Sequence, residues 1–272
     1  MRSLKRLVNL LNESSKLPDA NYTVKDGVLL EVDRNVSGKF IIPHDVHHID
    51  DEAFMGCRSI TDIEIGNNVK SIGETVFVGC GLKVINIPVN VSSISDYAFY
   101  KCETLRKVMF FSSSQTVPVC CFADCDNLQY FKFPNDWEGE IESMAFVNCF
   151  SLRSINLPSR LYSIGREAFA NCGSLKTIRI PGSVEKIGSR AFADCIRLSS
   201  LVLEDGIKEI NHNAFNGCKS LTTIELPNSV EYVGYKAFWD CDSLKKVYMP
   251  SNTRYDFWED DAFSDTVKIV RR

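Results

Sequence analysis

Apolar positions in this chain recur with a period close to 23 residues, far longer than the period of a helix or a strand. The landmark is an Ala-Phe step. Phe54, Phe77, Phe99, Phe122, Phe146, Phe169, Phe192, Phe215, Phe238 and Phe263 follow one another at intervals of 22 to 25 residues. A cysteine stands three residues after nine of them: Cys57, Cys80, Cys102, Cys125, Cys149, Cys172, Cys195, Cys218 and Cys241. A Leu or Ile comes next, as at Ile60, Leu82, Leu152 and Leu221, then an apolar pair such as Ile63/Ile65, Ile155/Leu157, Ile178/Ile180 or Ile224/Leu226. Proline often follows (Pro43, Pro88, Pro134, Pro158, Pro181, Pro227, Pro250), ahead of Val-x-x-Ile and the next Ala-Phe. Repetition at this length marks an array of stacked units.

Each part of the unit predicts a local structure. Ile-x-Ile alternation is a short strand with one buried face. The proline beyond it has no N–H to give to a ladder and turns the chain. Asp50, Gly73, Ser95, Gly165, Gly188, Asn211 and Gly234 follow Val-x-x-Ile, so a tight corner with positive φ is expected there. Ala, Phe, Cys and Leu at offsets 0, +1, +4 and +7 would share one face of a helical turn. Such a unit cannot bury its own apolar face, so the copies must stack. At about 4.8 Å per strand, ten copies make a curved body roughly 45–50 Å long.

The consensus Cys-x-x-Leu-x-x-Ile-x-Ile-Pro-x-x-Val-x-x-Ile-Gly-x-x-Ala-Phe resembles the leucine-rich repeats of the BspA-like family. The copies over 152–172 and 175–195 match it almost position for position, and the resemblance covers about residues 27–270. Residues 24–30 and 40–43 resemble the hairpin that opens such arrays. The resemblance implies a right-handed, curved leucine-rich-repeat solenoid. Parallel strands would line its inner face, with short extended segments and helical turns elsewhere. It also implies a binding or adhesive role, often at a cell surface, and no catalytic residues. The expected organisation is a short helix or cap over 1–22 and a solenoid of about ten repeats over 23–270, closed by a degenerate cap. In that last copy Thr266 stands in the cysteine column.

Composition changes this picture little. Hydrophobic residues make up 44 %, charged residues 24 %, and the net charge is −4, giving no reason to expect nucleic-acid binding or membrane insertion. Near the amino terminus Leu4, Leu7, Val8 and Leu11 form a short amphipathic stripe with Ser3 as N-cap. Asn9 interrupts the run, which is too short for an export signal. The chain therefore reads as a cytoplasmic monomer, whereas the family resemblance points to the cell surface. Eleven cysteines are an odd number, and nine of them repeat at the period of an apolar column. They are expected to be core thiols, not a disulfide framework. Cys120 precedes the column and is expected to be less buried than Cys121.

Chemistry is sparse. His44, His47 and His48 lie among Asp45, Asp50 and Asp51, a metal-like cluster that maps onto solvated turn positions of the repeat. No histidine pairs by sequence with a particular Ser or Cys, and the glycines are scattered singly, so neither a catalytic triad nor a phosphate loop is read. No cofactor is implied. The inner face carries more signal. Lys83, Arg106, Lys107, Lys132, Arg153, Lys176, Arg179, Lys245 and Lys246 are basic there, against Asp62, Glu64 and Glu225. A basic face on an acidic molecule can steer an acidic protein partner. The middle of the array breaks the pattern: Ser112, Ser113, Ser114 and Gln115 replace the usual proline segment, Pro118 fills a corner, and the next copy carries one extra residue. Residues 110–142 are thus expected to bulge, exposing Phe111, Tyr130 and Trp137 beside the basic positions. A second aromatic group marks the carboxy-terminal copies: Tyr232, Tyr235, Trp239, Tyr248, Tyr255, Phe257 and Trp258. The expected function is protein–protein interaction on this face, with an adhesin-type role towards matrix or glycan as the alternative.

Overall fold

The computed structural model describes residues 21–255, 262–264 and 266–272. The amino-terminal stripe over residues 3–11 lies outside them, as do Phe257 and Trp258. The chain winds as a stack of coils, each giving one strand to each of two parallel stacks. The first stack comes from the Ile-x-Ile segments. Eight strands, from Gly38–Ile41 through Ile60–Glu64, Val84–Ile87, Lys107–Phe110, Tyr130–Lys132, Ser154–Ile155 and Thr177–Ile180 to Ser200–Leu203, form one sheet. Three more, Thr223–Glu225, Lys246–Met249 and Lys268–Arg271, continue it as a separate sheet. The second stack comes from Val-x-x-Ile and runs from His48–Ile49 to Arg254–Tyr255. An antiparallel hairpin, Tyr22–Lys25 against Val28–Val32, opens it.

The third side of each coil departs from the expectation. No helix occurs among the described residues, and the Ala-Phe-x-x-Cys segment is a run of hydrogen-bonded turns. Two residues per coil hold positive φ: the one before Ala (Glu52, Thr75, Tyr97, Cys120, Met144, Glu167, Arg190, Asn213, Lys236) and the one before Cys. The latter column reads Gly56, Gly79, Lys101, Asp124, Asn148, Asn171, Asp194, Gly217 and Asp240. Left-handed residues stop helical hydrogen bonding. The Phe N–H groups therefore point along the stack: Phe169 N donates to Ala191 O at 2.7 Å and Phe192 N to Ala214 O at 2.8 Å.

The corner glycines have a different reason from the one expected. Gly73, Gly165, Gly188 and Gly234 are absent from the positive-φ positions. A Cβ on Gly188 would instead meet the Gly165 backbone at 2.5 Å, so close approach of neighbouring coils favours glycine there. This removes the conflict at Pro118, since its corner needs no left-handed residue.

Inside, the phenylalanines form one file of rings. Successive centroids from Phe146 through Phe238 lie 5.1–5.2 Å apart, with planes within 7° of parallel. All eleven cysteines are buried and unpaired by disulfide, and for the nine of the column burial follows from their period; Cys120, off the column, is 6 % exposed against 0 % for Cys121. The thiols also carry an interaction that their sequence pattern does not reveal. From Cys102 to Cys241, each column thiol donates to the Phe carbonyl of the preceding coil, at 3.0–3.3 Å. The file is thus joined coil to coil by weak S–H donors as well as by ring contact.

Candidate functional site

The first stack presents the basic residues. Arg106 N donates to Lys83 O (2.8 Å), Gln129 N to Arg106 O (3.0 Å) and Lys176 N to Arg153 O (3.2 Å), which sets these positions side by side across coils. Lys107 and Tyr130 are register partners, as are Met109 and Lys132. The Lys107 ammonium sits 5.5 Å from the Tyr130 ring centroid, and that of Lys246 4.5 Å from the Tyr248 ring. Two of the three acidic positions of this face are engaged, Glu64 by Lys39 at 2.6 Å and Glu225 by Arg272. Arg179 differs from its neighbours, because its guanidinium is held by Glu204 at 2.6 Å. Among the described residues no ion pair is formed by Lys83, Arg106, Lys107, Lys132, Arg153, Lys176, Lys245 or Lys246.

The second stack behaves in the opposite way. Lys186 meets Glu209 at 2.9 Å, Lys208 meets Glu185 at 3.0 Å, Arg254 lies 4.0 Å from Glu231, and Arg160 pairs with Glu138. Each is a pair between neighbouring coils. Two sheets built on one repeat thus differ in how far their cations are neutralised.

The irregular middle resolves into core packing. Trp137 is 5 % exposed, which overturns its expected exposure, whereas Phe111 and Tyr130 are 38 % and 44 % exposed. The cause is a size exchange in the Val column. Ser114 takes that place in one coil and Trp137 in the next; the indole fills the room left by the serine and donates from Nε1 to Ser114 O at 2.8 Å. Phe133 and Phe110 close round it, with centroids 4.8 and 6.1 Å away. Gly139 permits the tight path that follows, since a Cβ there would meet Gln115 O at 2.2 Å and the indole at 2.7 Å.

Beside this aromatic block the first sheet opens into a shallow cleft of about 340 Å³, whose rim carries Tyr130, Lys132, Asn135, Ser154, Asn156 and Ser159. Sequence reasoning found Tyr130 and Lys132 but not the cleft, which arises from how two coils of unequal length meet. The remaining polar candidates have local partners. His48 Nδ1 is 2.7 Å from Ser71 Oγ, and His212 Nδ1 accepts from Tyr235 N at 3.1 Å. Among the described residues no group of three His, Cys, Asp or Glu is placed to hold a metal ion. Burial holds the column thiols in their protonated form, with Cys195 pushed up to about 12, so they are poor nucleophiles.

Two stacks of short parallel strands wound on a 23-residue unit, with Leu, Ile and Phe inside, define a leucine-rich-repeat solenoid. The model of the BspA-type leucine-rich-repeat region matches residues 35–138 and 139–270 in six copies, and the chain belongs to that family. It is a family of repeats, and no catalytic family is indicated. No curated protein matches the chain. Among solved structures, a leucine-rich repeat protein from Bacteroides ovatus is 25 % identical over 88 % of this chain and 84 % of its own, with a TM-score of 0.54. The pneumococcal vaccine antigen PcpA is 16 % identical, over 96 % of this chain and 98 % of its own, at 0.51. A leucine-rich cell surface protein from Faecalibacterium prausnitzii is 21 % identical, over 96 % and 95 %, at 0.41. Among the described residues no helix is long and apolar enough to cross a membrane.

Proposed function

We propose that this chain is a non-catalytic interaction module that holds an acidic protein partner against its first sheet. One observation carries the reading: among the described residues Lys83, Arg106, Lys107, Lys132, Arg153 and Lys176 of that sheet form no ion pair, although Lys39 and Arg179 do, while the cations of the second sheet are largely paired from coil to coil. Like charges gathered without counter-charges disfavour the free state and favour a partner that supplies carboxylates. Arg106, Lys107, Lys132, Arg153 and Lys176 form its centre, with Tyr130 and Phe111 as exposed aromatic contacts. Arg179 contributes less, since Glu204 already engages it. Trp137 serves the core.

The test compares the immobilised chain with its Lys132→Glu/Arg153→Glu/Lys176→Glu variant in extracts of the native host. Wild type is expected to retain acidic proteins that the variant releases, at an unchanged melting temperature. Equal retention by both would remove the proposal. Capture of matrix proteins or glycans that ignores the substitutions would favour the adhesin-type role instead.

A further inference from the structure

The first sheet has open rungs at the cleft. In several coils the apolar residue that ends the strand segment donates its N–H to the next coil: Ile42 N to Glu64 O at 3.1 Å, and Leu226 N to Tyr248 O at 2.9 Å. Ile65, Phe133 and Leu157 occupy the same place and make no such bond, and only the last two are consecutive. The ladder between Tyr130–Lys132 and Ser154–Ile155 holds only at Tyr130↔Ser154 and Phe131↔Ile155, and the next one only at Ser154↔Thr177. Further along, Arg179↔Val202 and Ile180↔Leu203 are paired again. Asn156 and Leu157 therefore sit between two lapses, on the wall of the cleft.

The ladder also lapses beyond Ile63↔Ile85, where Lys39 is already engaged by Glu64, and between Ser200–Leu203 and Thr223–Glu225, where the leading positions Ser199, Ser200, Thr222 and Thr223 offer no charge. At the cleft, by contrast, Lys132 lies on the rim, and Arg153 and Lys176 lead the strand segments Ser154–Ile155 and Thr177–Ile180; none of the three has an ion pair among the described residues. Backbone donors, a backbone acceptor and one unpaired cation thus line the cleft, with two more cations at the leading ends of the adjoining strand segments.

We infer that this notch is the seat of an extended acidic peptide segment of the partner, which completes the broken rungs through its own backbone. The inference rests on the reading of the first sheet as an interaction surface. The Phe133 and Leu157 N–H groups would donate to peptide carbonyls, the Asn156 carbonyl would accept a peptide N–H, and carboxylates would meet Lys132, Arg153 and Lys176. The need for a donor as well as acceptors selects a polypeptide over a sulfated glycan or a nucleic-acid strand, whose facing groups are mainly acceptors. Strand addition of this kind draws affinity from main-chain bonds and selectivity from alternate side chains.

The experiment uses the full chain and a pool of 12-residue peptides with Glu or Asp at alternate positions and the rest randomised. Retained peptides are identified and remade with N-methyl groups on alternate residues, which remove backbone donors and keep the charge. Selected peptides are expected to bind the wild type, to weaken at least tenfold on N-methylation in one of the two alternate frames, and to be lost by the Lys132→Glu/Arg153→Glu/Lys176→Glu variant. Peptides that bind equally well in both N-methylated frames, or no better than a charge-matched oligonucleotide, would overturn the open-rung inference and leave the basic-face reading intact. If no peptide is retained, or the charge-reversed variant retains them unchanged, both fail together.

Discussion

The Phe and Cys columns hold the stack together at the level of single residues. Each ring lies between two others at about van der Waals distance, so truncation leaves a hole that neighbours on a fixed repeat cannot close. Phe192→Ala is expected to lower stability by about 3–5 kcal/mol in denaturant unfolding; a neutral result would mean that Phe192 is not in the file. The thiols make a second, pH-dependent test. Their folded pKa values are raised by burial above the ordinary 9.0. The unfolded chain therefore releases protons that the folded chain keeps, and stability present below about pH 9 is lost as pH rises further, at roughly 1.4 kcal/mol per pH unit for each thiol. A steep fall in melting temperature between pH 8.5 and 10 is expected, together with silence towards thiol reagents in the native state at pH 8. Both columns were legible in the sequence, because a strict period reports burial directly. The S–H···O bonds were not, because nothing in the spacing says where the Phe carbonyl points.

Single elements show where pattern reading runs out. Strands followed from Ile-x-Ile and Val-x-x-Ile, since alternation and β-branching leave few other structures. The third side is not decided by the pattern, because apolar offsets of 0, +1, +4 and +7 suit a helical turn and a chain of turns equally well. The deciding feature is the pair of left-handed residues in each coil, and most of them are neither glycine nor asparagine: Glu52, Thr75, Tyr97, Met144, Glu167, Arg190 and Lys236 among them. Their φ is imposed by coil-to-coil hydrogen bonds, not by local preference. A bulge is the natural expectation for the middle coils, since residues 112–115 replace the proline segment, Pro118 fills a corner and the next coil carries one extra residue, yet the room beside Ser114 is filled from the next coil by Trp137. Trp137→Ala is accordingly expected to cost about 3–5 kcal/mol, and Phe111→Ala, on the exposed rim, less than about 1 kcal/mol. Equal effects of the two substitutions in parallel denaturant titrations would contradict this assignment.

At the scale of the molecule, the stack separates two tasks. The interior fixes the fold through side chains that never reach solvent, and the outward positions are free to carry charge. The basic face could be counted from the sequence, but the state of its charges could not, since pairing with Glu204, Glu64 or Glu225 depends on which coil lies beside which. The most direct measurement is binding of the retained acidic peptides as salt rises from 0.05 to 0.5 M, for the wild type and the Lys132→Glu/Arg153→Glu/Lys176→Glu variant, with melting temperatures recorded alongside. An affinity that falls steadily with salt and vanishes in the variant at constant melting temperature is the result expected of unpaired cations awaiting carboxylates. Salt-independent binding, or binding that the variant retains, would contradict it.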